Sequence, residues 1–331
     1  MNAVPETLEE RRAAVLAGLD LATARGLEVG ALHSPIVPRD RSRVSYVDWA
    51  DTVTLRKKYE HDPAVDVASI VDVDYLWAGQ AGLAGIVGDD KFDFAVASHV
   101  VEHVPDLVTW LAELSSVLAP GGEIRLVVPD RRFTFDYRRA ETRSSEVLEA
   151  WIEQRRVPSA RATLDMLLNY ATVDHAAVWR GERPAPPRGP VDNPAHWLMV
   201  ARQCEAQTAY HDVHAWVFTP RSFAVLMSEL IEFDVLRLGC SLFRDTQEGQ
   251  LDFLVGLKPC TDRDEAMRGW LAMAERAADA PWTRREHDAA AAVAVRLRSE
   301  LDQARQDVGL LRASTCWRMT SPLRWLRAWA G

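Results

Sequence analysis

The sequence predicts an α/β fold in which helices cover both faces of a doubly wound, Rossmann-like sheet. Its first half contains five short runs rich in Val and Ile, without the apolar–polar alternation of a half-exposed strand. Such runs are typical of parallel strands buried on both faces. Strand, helix, turn and strand also follow one another between residues 92 and 130, and this unit builds parallel sheets.

The elements can be assigned in chain order, beginning with an N-terminal helix in residues 1–25. Pro5 suits the first turn of this helix and Gly26 its end. The five strand-like runs are "GLEVGAL" (26–32), "RVSYVD" (43–48), "ASIVDVD" (68–74), "FDFAVAS" (92–98) and "EIRLVVPD" (123–130). We expect the main domain to extend from residue 26 to residue 260.

The clearest connecting helix follows the fourth run. Asp106 can cap its first turn, and Leu107, Leu111 and Leu114 lie on one apolar stripe. The sequence Pro-Gly-Gly after Ala119 ends this helix and leads into the fifth strand.

After the fifth strand the regular alternation stops. Residues 131–215 contain two helical pieces and a proline-rich loop, which is more typical of a lid or a packing insertion than of a separate domain. The core then resumes with a helix capped by Thr219. Two final strands, "FDVLRLG" and "LDFLVGLK", follow it and are close enough in sequence to form a hairpin.

Residues 262–331 predict a helical tail. Its apolar residues recur at steps of three and four along a coiled-coil-like seam: Val293, Leu297, Leu301, Ala304, Val308 and Leu311. The last stretch, "STCWRMTSPLRWLRAWAG", combines Trp with Arg and has no acidic residue. The tail is therefore a candidate for peripheral membrane contact, for binding a partner protein or for forming a homo-oligomer.

Composition and charge exclude several classes of protein. The formal net charge of −9 argues against nucleic-acid binding, which needs clustered Lys and Arg. The four cysteines are scattered without a disulfide or zinc spacing, and the first residues lack the apolar run of a signal peptide. The sequence thus favours a cytoplasmic protein.

Acidic residues stand at the ends of several predicted strands. In an open parallel sheet, ligands bind beyond the carboxyl ends of the strands. Asp48 ends the second strand, Asp72 and Asp74 the third, and Asp130 the fifth. A carboxylate can accept two hydrogen bonds at once, so Asp48, 20 residues after Glu28, is suited to bind both hydroxyls of a ribose.

The series "LEVGAL", "YVD", "VDVD", "FDFAVASHVVEHVPD" and "VLAPGGEIRLVVPD" resembles the class I S-adenosylmethionine-dependent methyltransferases over roughly residues 20–258. The resemblance implies a seven-stranded sheet whose last strand is antiparallel, with S-adenosylmethionine as the cofactor. It assigns cofactor contacts to these positions: Glu28, Gly30 and Ala31 near the amino-acid end, Asp48 at the ribose, Asp72 or Asp74 near the adenine, and Ser98 and His99 beneath the methionine moiety.

The first motif departs from the family pattern E-x-G-x-G-x-G. Only Gly30 is retained, and Leu32 and Ser34 occupy the positions of the later glycines. The missing glycines also argue against a nicotinamide dehydrogenase, which uses them to bind a pyrophosphate.

The sequence "HVVEH" at residues 99–103 matches the H-x-x-E-H pattern of one class of zinc peptidase. That site needs both histidines on one helix face, whereas His99 ends a predicted strand and Pro105 starts a new element after His103. We therefore predict no bound metal, with Glu102 and His103 orienting the cofactor loop. A looser divalent-metal role for His99, Glu102 and His103 stays open as an alternative.

Methyl transfer to an alcohol requires a base besides alignment of the reactants. His suits this task near neutral pH. The candidates follow the fifth strand and are His211 and His214 in "YHDVHAWVFTP", together with Asp130 and His175.

The acceptor is predicted from resemblance. The long insertion, the sequences "PDRRFTFD" and "YHDVHAWVFTP" and the tail resemble methyltransferases of polysaccharide and glycoside biosynthesis. This implies O-methylation of a sugar hydroxyl on a small-molecule or glycan acceptor. The alternatives are a methyltransferase for a non-sugar small molecule and an inactive methyltransferase-like scaffold that acts through its tail.

Overall fold

The computed structural model describes residues 7–78, 82–184 and 193–313, which contain one seven-stranded sheet. Its strands are β1 (Arg25–Val29), β2 (Arg43–Asp48), β3 (Tyr75–Leu76), β4 (Phe92–Ser98), β5 (Leu118–Pro129), β6 (Leu238–Arg244) and β7 (Asp252–Pro259). The order across the sheet is β3-β2-β1-β4-β5-β7-β6. The first five strands pair in parallel, and β7 is antiparallel to both β5 and β6. The predicted fold class is confirmed.

Helices connect the strands and form most of the insertion. They are α1 (Leu8–Val15), α2 (Thr52–Lys58), α3 (Leu83–Val87), α4 (Leu107–Ser116), α5 (Ser144–Ile152), α6 (Ala160–Asn169), α7 (His175–Trp179), α8 (Pro194–Glu205), α9 (Pro220–Glu232), α10 (Arg263–Arg276) and α11 (Pro281–Ala313). The side chains of Asp106 and Thr219 cap α4 and α9, as the sequence indicates. Helix α1 ends at Val15, well before residue 25, because residues 16–24 form turns.

Strand β5 shows why its sequence lacks alternation. Ile124, Leu126 and Val128 pack into the main core with α4 and α9, while Val127 packs into a second core on the opposite face. Arg125 shares that opposite face, and its guanidinium donates to the carbonyls of the turn after α1. With both faces buried, apolar side chains are favoured at successive positions.

Two predicted strands are displaced. Residues 67–69 form a 3₁₀ turn, and regular pairing begins only at β3, after Asp74 has bonded to the backbone of Tyr46. The predicted sixth strand "FDVLRLG" is mostly the turn after α9, which includes Asp234 at φ +60°. Pairing with β7 instead uses β6, which begins at the last two residues of that run and continues into residues that the sequence predicts as the connection of the hairpin.

The described residues up to Ala278, apart from 180–182, form the larger of two compact units. This unit includes α10, whose Trp270 is fully buried and donates from Nε1 to the carbonyl of Leu238 at 2.7 Å. The smaller unit contains α11, on which the seam residue Leu297 is half exposed. The Trp-rich and Arg-rich stretch 314–331 lies outside the described residues.

Among the described residues, no helix is both long and apolar enough to cross a membrane.

Replacing Trp270 by Ala is expected to destabilise the protein by about 3–5 kcal/mol, because it leaves a large cavity and an unpaired carbonyl in the core. The midpoint and slope of urea unfolding measure this loss. Leu297→Ala on α11 serves as the control and should change the free energy of unfolding by less than about 1 kcal/mol. A loss of similar size in both variants would contradict the assignment of α10 to the core.

Candidate functional site

The loop after β1 keeps the conformation of a glycine-rich turn despite its sequence. Gly30 has φ +69°, and a Cβ added there would lie 2.9 Å from Cγ2 of Val100. Leu32, at the position of the second family glycine, is also left-handed with φ +46°. The turn is held from behind by Glu28, whose carboxylate accepts the backbone N–H groups of residues 36 and 37 at 2.7 and 2.8 Å. Ala31 is buried beside the turn.

Glu28 is 1% exposed, and its burial raises its pKa to about 7, although the two backbone N–H bonds favour the charged form. A folded-state pKa above the unfolded value means that the stability from this group is fully present below about pH 4.5 and is lost as pH rises through about 7. The shift corresponds to a loss on the order of 3 kcal/mol.

We therefore expect the free energy of unfolding of the wild type to fall between pH 5 and pH 8 relative to Glu28→Gln, which cannot titrate there. Urea unfolding of both proteins across this range measures the difference. Parallel stability profiles would show that Glu28 does not titrate in this way.

The predicted acidic residues differ in their environments. Asp48, at the end of β2, is 8% exposed and accepts the backbone N–H of Trp49 at 2.7 Å; burial raises its pKa against this hydrogen bond. The side chain of Asp72 is 82% exposed. Asp74 is bound to Arg39 and to the backbone N–H of Tyr46. Of the three, only Asp48 is buried at the carboxyl end of a strand next to the loop of Gly30.

Beyond β4 the chain makes an abrupt turn. Ser98 ends the strand, and His99 adopts φ +54°, a left-handed conformation that strains a side chain with a Cβ. The turn leads into the 3₁₀ helix Val101–His103 and places two imidazoles, those of His99 and His103, near the same oxygen of Glu102.

A group of four side chains, which we call the imidazole cluster, lies at this end of β4 and consists of His99, Glu102, His103 and His214. Glu102 is 1% exposed, and neither carboxylate oxygen has a hydrogen-bond partner. Its Oε1 lies 3.6 Å from Nδ1 of His99 and 3.8 Å from Nε2 of His103. Ligand atoms of Glu102, His103 and His214 all lie within 4.8 Å of one another.

The insertion places His214 here through backbone contacts. The carbonyl of Glu102 accepts the N–H groups of Ala215 and Trp216 at 2.6 and 3.2 Å, and Nε1 of Trp216 donates to the carbonyl of Val104 at 2.6 Å. The segment after α8 is therefore held against the turn after β4. The proximity of His214 to Glu102 thus depends on the fold, since 112 residues separate them in the sequence.

An outer ring of carboxylates orients the three imidazoles. Asp252 lies 2.9 Å from Nε2 of His99, Asp212 lies 2.8 Å from Nδ1 of His103, and Asp136 lies 2.5 Å from Nδ1 of His214. The contact of Asp212 with His103 is an ion pair whose angle falls short of a hydrogen bond. Each imidazole therefore has one nitrogen next to a carboxylate.

The carboxylate and the imidazoles of the cluster stabilise one another's charged forms. Burial opposes ionisation of Glu102, but the neighbouring imidazoles outweigh it, so the pKa of this carboxyl lies below its ordinary value. Burial likewise opposes protonation of His99, but Asp252 and Glu102 raise its pKa to about 9. Because the side chain of His99 retains 41% of its exposure, solvent screens part of this attraction.

The other predicted bases lie apart from the cluster. Asp130 is fully buried, binds Arg132 through both oxygens and accepts a hydrogen bond from Thr246, so its carboxylate is already used. His211 bonds through Nε2 to the side chain of Gln203. His175 is exposed at the start of α7.

Three residues that surround the imidazole cluster were not identified from the sequence. Asp136 and Asp252 gave no signal of their own, because they reach their histidines across 78 and 153 residues. Arg11 of α1 binds Asp252 at 2.8 Å. Asp212, two residues before His214, was visible in the H-D-x-H run, although it pairs with His103 instead.

The residues present fit an adenosyl cofactor. The turn at Gly30 approaches Val100 too closely for a side chain at that position, and the buried Asp48 beside it offers a carboxylate that ribose hydroxyls can satisfy. The imidazole cluster follows the same edge of the sheet, at the end of the neighbouring strand β4.

Comparisons with known proteins identify the family of the chain. A sequence-family model described as a methyltransferase domain matches residues 10–237. Similar solved structures include the CcbJ methyltransferase from Streptomyces caelestis, which is 11% identical with a TM-score of 0.38 and 77% and 97% of the two chains covered. The magnesium protoporphyrin IX methyltransferase from Synechocystis is 10% identical, with a TM-score of 0.32 and coverage of 76% and 80%.

A structure from Rhodobacter sphaeroides named as a Zn-dependent alcohol dehydrogenase is 11% identical, with a TM-score of 0.42 and coverage of 77% and 91%. These low identities and TM-scores carry no argument about activity. A search among curated proteins finds no match.

Proposed function

Because the chain belongs to the methyltransferase family and is a class I enzyme that uses S-adenosylmethionine, we propose that it methylates a hydroxyl oxygen of a small-molecule acceptor. The observation that carries this proposal is the imidazole cluster at the end of β4. An alcohol must lose its proton as it is methylated, and a buried group of imidazoles and one carboxylate can receive or release that proton.

The cofactor supplies a methyl group that is already activated on a positively charged sulfur. The chain therefore has to bind the reactants, align them and handle a proton. Glu28 fixes the loop of Gly30, and Asp48 is the proposed ligand of the ribose. Ser98 and His99 follow at the end of β4, beneath the proposed position of the methionine moiety.

His214 is the proposed main contact to the acceptor hydroxyl. It is 7% exposed, and Asp136 fixes its ring through Nδ1, which leaves Nε2 directed away from that carboxylate. A carboxylate on one nitrogen orients an imidazole and stabilises its charged form, which is the arrangement found in catalytic His–Asp pairs. Arg139 bonds to the other oxygen of Asp136 at 2.8 Å and stabilises the pair further.

We further propose that the acceptor is a sugar. The support is the resemblance of "PDRRFTFD" and "YHDVHAWVFTP" to segments of enzymes of polysaccharide and glycoside biosynthesis. The first carries Asp136 and the second His214, so the two resembling segments meet in one hydrogen bond. A non-sugar alcohol or phenol is the second candidate, because the same proton chemistry serves it.

The test combines calorimetric titration of S-adenosylmethionine with a methyl-transfer assay against nucleotide sugars, glycosides and phenols. We expect binding together with transfer to a sugar hydroxyl. Binding with transfer only to phenols would select the second candidate. No binding would contradict the proposed function and favour a scaffold.

A further inference from the structure

Glu102 is the least satisfied charged group among the described residues of the cluster. It is 1% exposed, and both of its carboxylate oxygens lack a hydrogen-bond donor. A buried carboxylate is normally neutralised by hydrogen bonds and a partner charge, because the protein interior solvates it poorly. The nearest nitrogens, at 3.6 and 3.8 Å, are too distant to donate hydrogen bonds.

The imidazoles around Glu102 are oriented as metal ligands usually are. Nδ1 of His103 forms an ion pair with Asp212 and Nδ1 of His214 bonds to Asp136, so each Nδ1 faces a carboxylate and the Nε2 atoms are available. A carboxylate on the outer nitrogen is the usual support of a metal-binding histidine, because it fixes the ring and makes the inner nitrogen more basic.

We propose that Glu102, His103 and His214 bind a divalent first-row transition-metal ion, with His99 beside them as a possible fourth donor. The inference rests on the proposed function only for the role of this ion, which is to bind the acceptor hydroxyl. Metal binding itself can be measured without any acceptor.

The distances require a moderate closure. Three ligands that are each about 2.1 Å from one ion are all at most about 3.6 Å from one another. The ligand atoms of the three residues lie within 4.8 Å of one another, so side-chain rotations that bring them about 1 Å closer together close the site. The 30% exposure of His103 shows that the cluster is open to solvent on that side, which provides a path for an ion and its waters.

The ligand set also selects the ion. Two imidazoles and one carboxylate suit Mn²⁺, Fe²⁺, Co²⁺ or Zn²⁺, whereas Mg²⁺ prefers oxygen ligands alone. Three protein ligands leave coordination positions open, and a hydroxyl oxygen can fill one of them. The sequence predicts no bound metal and leaves a divalent-metal role for His99, Glu102 and His103 as an alternative. The proposed site corresponds to that alternative, with His214 added by the fold.

The test is titration of the chelator-treated full chain with Co²⁺, followed by the visible absorption bands of the bound ion and by calorimetry. We expect one site per chain. Glu102→Gln should weaken binding by more than about 100-fold, and Asp136→Asn, which removes only an orienting carboxylate, by about 10–100-fold. His61→Ala is the matched control, since His61 is 91% exposed and outside the cluster, and should leave the affinity unchanged.

A further measurement separates ligand loss from misfolding. Without metal, Glu102→Gln should still unfold in one cooperative thermal transition, because the amide has nearly the shape of the carboxylate. Its midpoint should lie somewhat below that of the metal-free wild type, because the attraction between the carboxylate and the neighbouring imidazoles is lost. Added Co²⁺ should raise the midpoint of the wild type but not that of Glu102→Gln.

Absence of Co²⁺ binding by the wild type, or binding that Glu102→Gln and Asp136→Asn leave intact, would overturn the metal site. Binding of S-adenosylmethionine without Co²⁺ binding would leave the proposed function standing. Binding of Co²⁺ without S-adenosylmethionine would remove the proposed function and keep the site.

Discussion

Replacing His214 by Ala is expected to lower kcat for methyl transfer by about 10²–10⁴-fold while the affinity for S-adenosylmethionine stays nearly unchanged. The reason is that Nε2 of His214 faces the proposed acceptor position, whether it acts on the hydroxyl directly or through a bound ion. The proposed ribose ligand Asp48 is at the end of β2, whereas His214 lies in the segment between α8 and α9, so cofactor binding should not depend on this imidazole.

The measurement is steady-state transfer together with calorimetric binding of the cofactor. His211→Ala is the comparison variant, because His211 belongs to the same H-D-x-H run but bonds to Gln203. A large loss in His211→Ala with little loss in His214→Ala would contradict the assignment. Asp136→Asn should give an intermediate loss, since the amide can still bond to the ring but no longer stabilises its charge.

Replacing Asp48 by Ala is expected to weaken S-adenosylmethionine binding by more than about 100-fold. Hydrogen bonds to a charged group contribute about 1.5–3 kcal/mol each, and a ribose can donate two of them to one carboxylate. Calorimetric titration of the cofactor and of its demethylated product measures the change. The variant should still fold, because the hydrogen bond of this buried carboxylate is local, to the backbone N–H of the adjacent Trp49.

Asp72→Ala is the control for this prediction. The side chain of Asp72 is 82% exposed, and its ion pair with Arg56 is long, at 3.9 Å. We therefore expect no more than a small change in the affinity for the cofactor. Equal losses in both variants would show that the cofactor is recognised by general charge and not by Asp48.

The displaced elements show where sequence patterns mislead. The run "ASIVDVD" has the composition of a strand, but it lies before β3. Its Ile70 packs with Leu55 in a small apolar cluster. The prediction of a strand at "FDVLRLG" was wrong for a different reason. Helix α9 continues to Glu232, and the residues that follow form the turn after it. In both runs only some apolar residues are buried, among them Ile70, Leu236 and Leu238, whereas Phe233 is 63% exposed, and tertiary packing decided the backbone.

The cofactor loop shows the reverse case. The sequence at Leu32 departs from the family motif, and yet the backbone is left-handed there, as a glycine would allow. Leu32 packs against the cluster that contains Leu55, and this burial offsets the strain of about 1–2 kcal/mol for a left-handed residue. The loss of the family glycine at position 32 therefore does not abolish the left-handed backbone of this loop.

The sequence by itself determined the sheet, its flanking helices and the row of polar residues at the strand ends, because burial on both faces and helix capping act over a few neighbouring residues. It also indicated both histidines of the H-D-x-H run as candidate bases, but it could not tell which of them lies in the site. Only the tertiary structure decided that His214 meets Glu102 and Asp136, since these contacts join residues 78 to 112 positions apart. A side chain's role in such a site depends on what the fold brings to it, and local sequence carries no record of that.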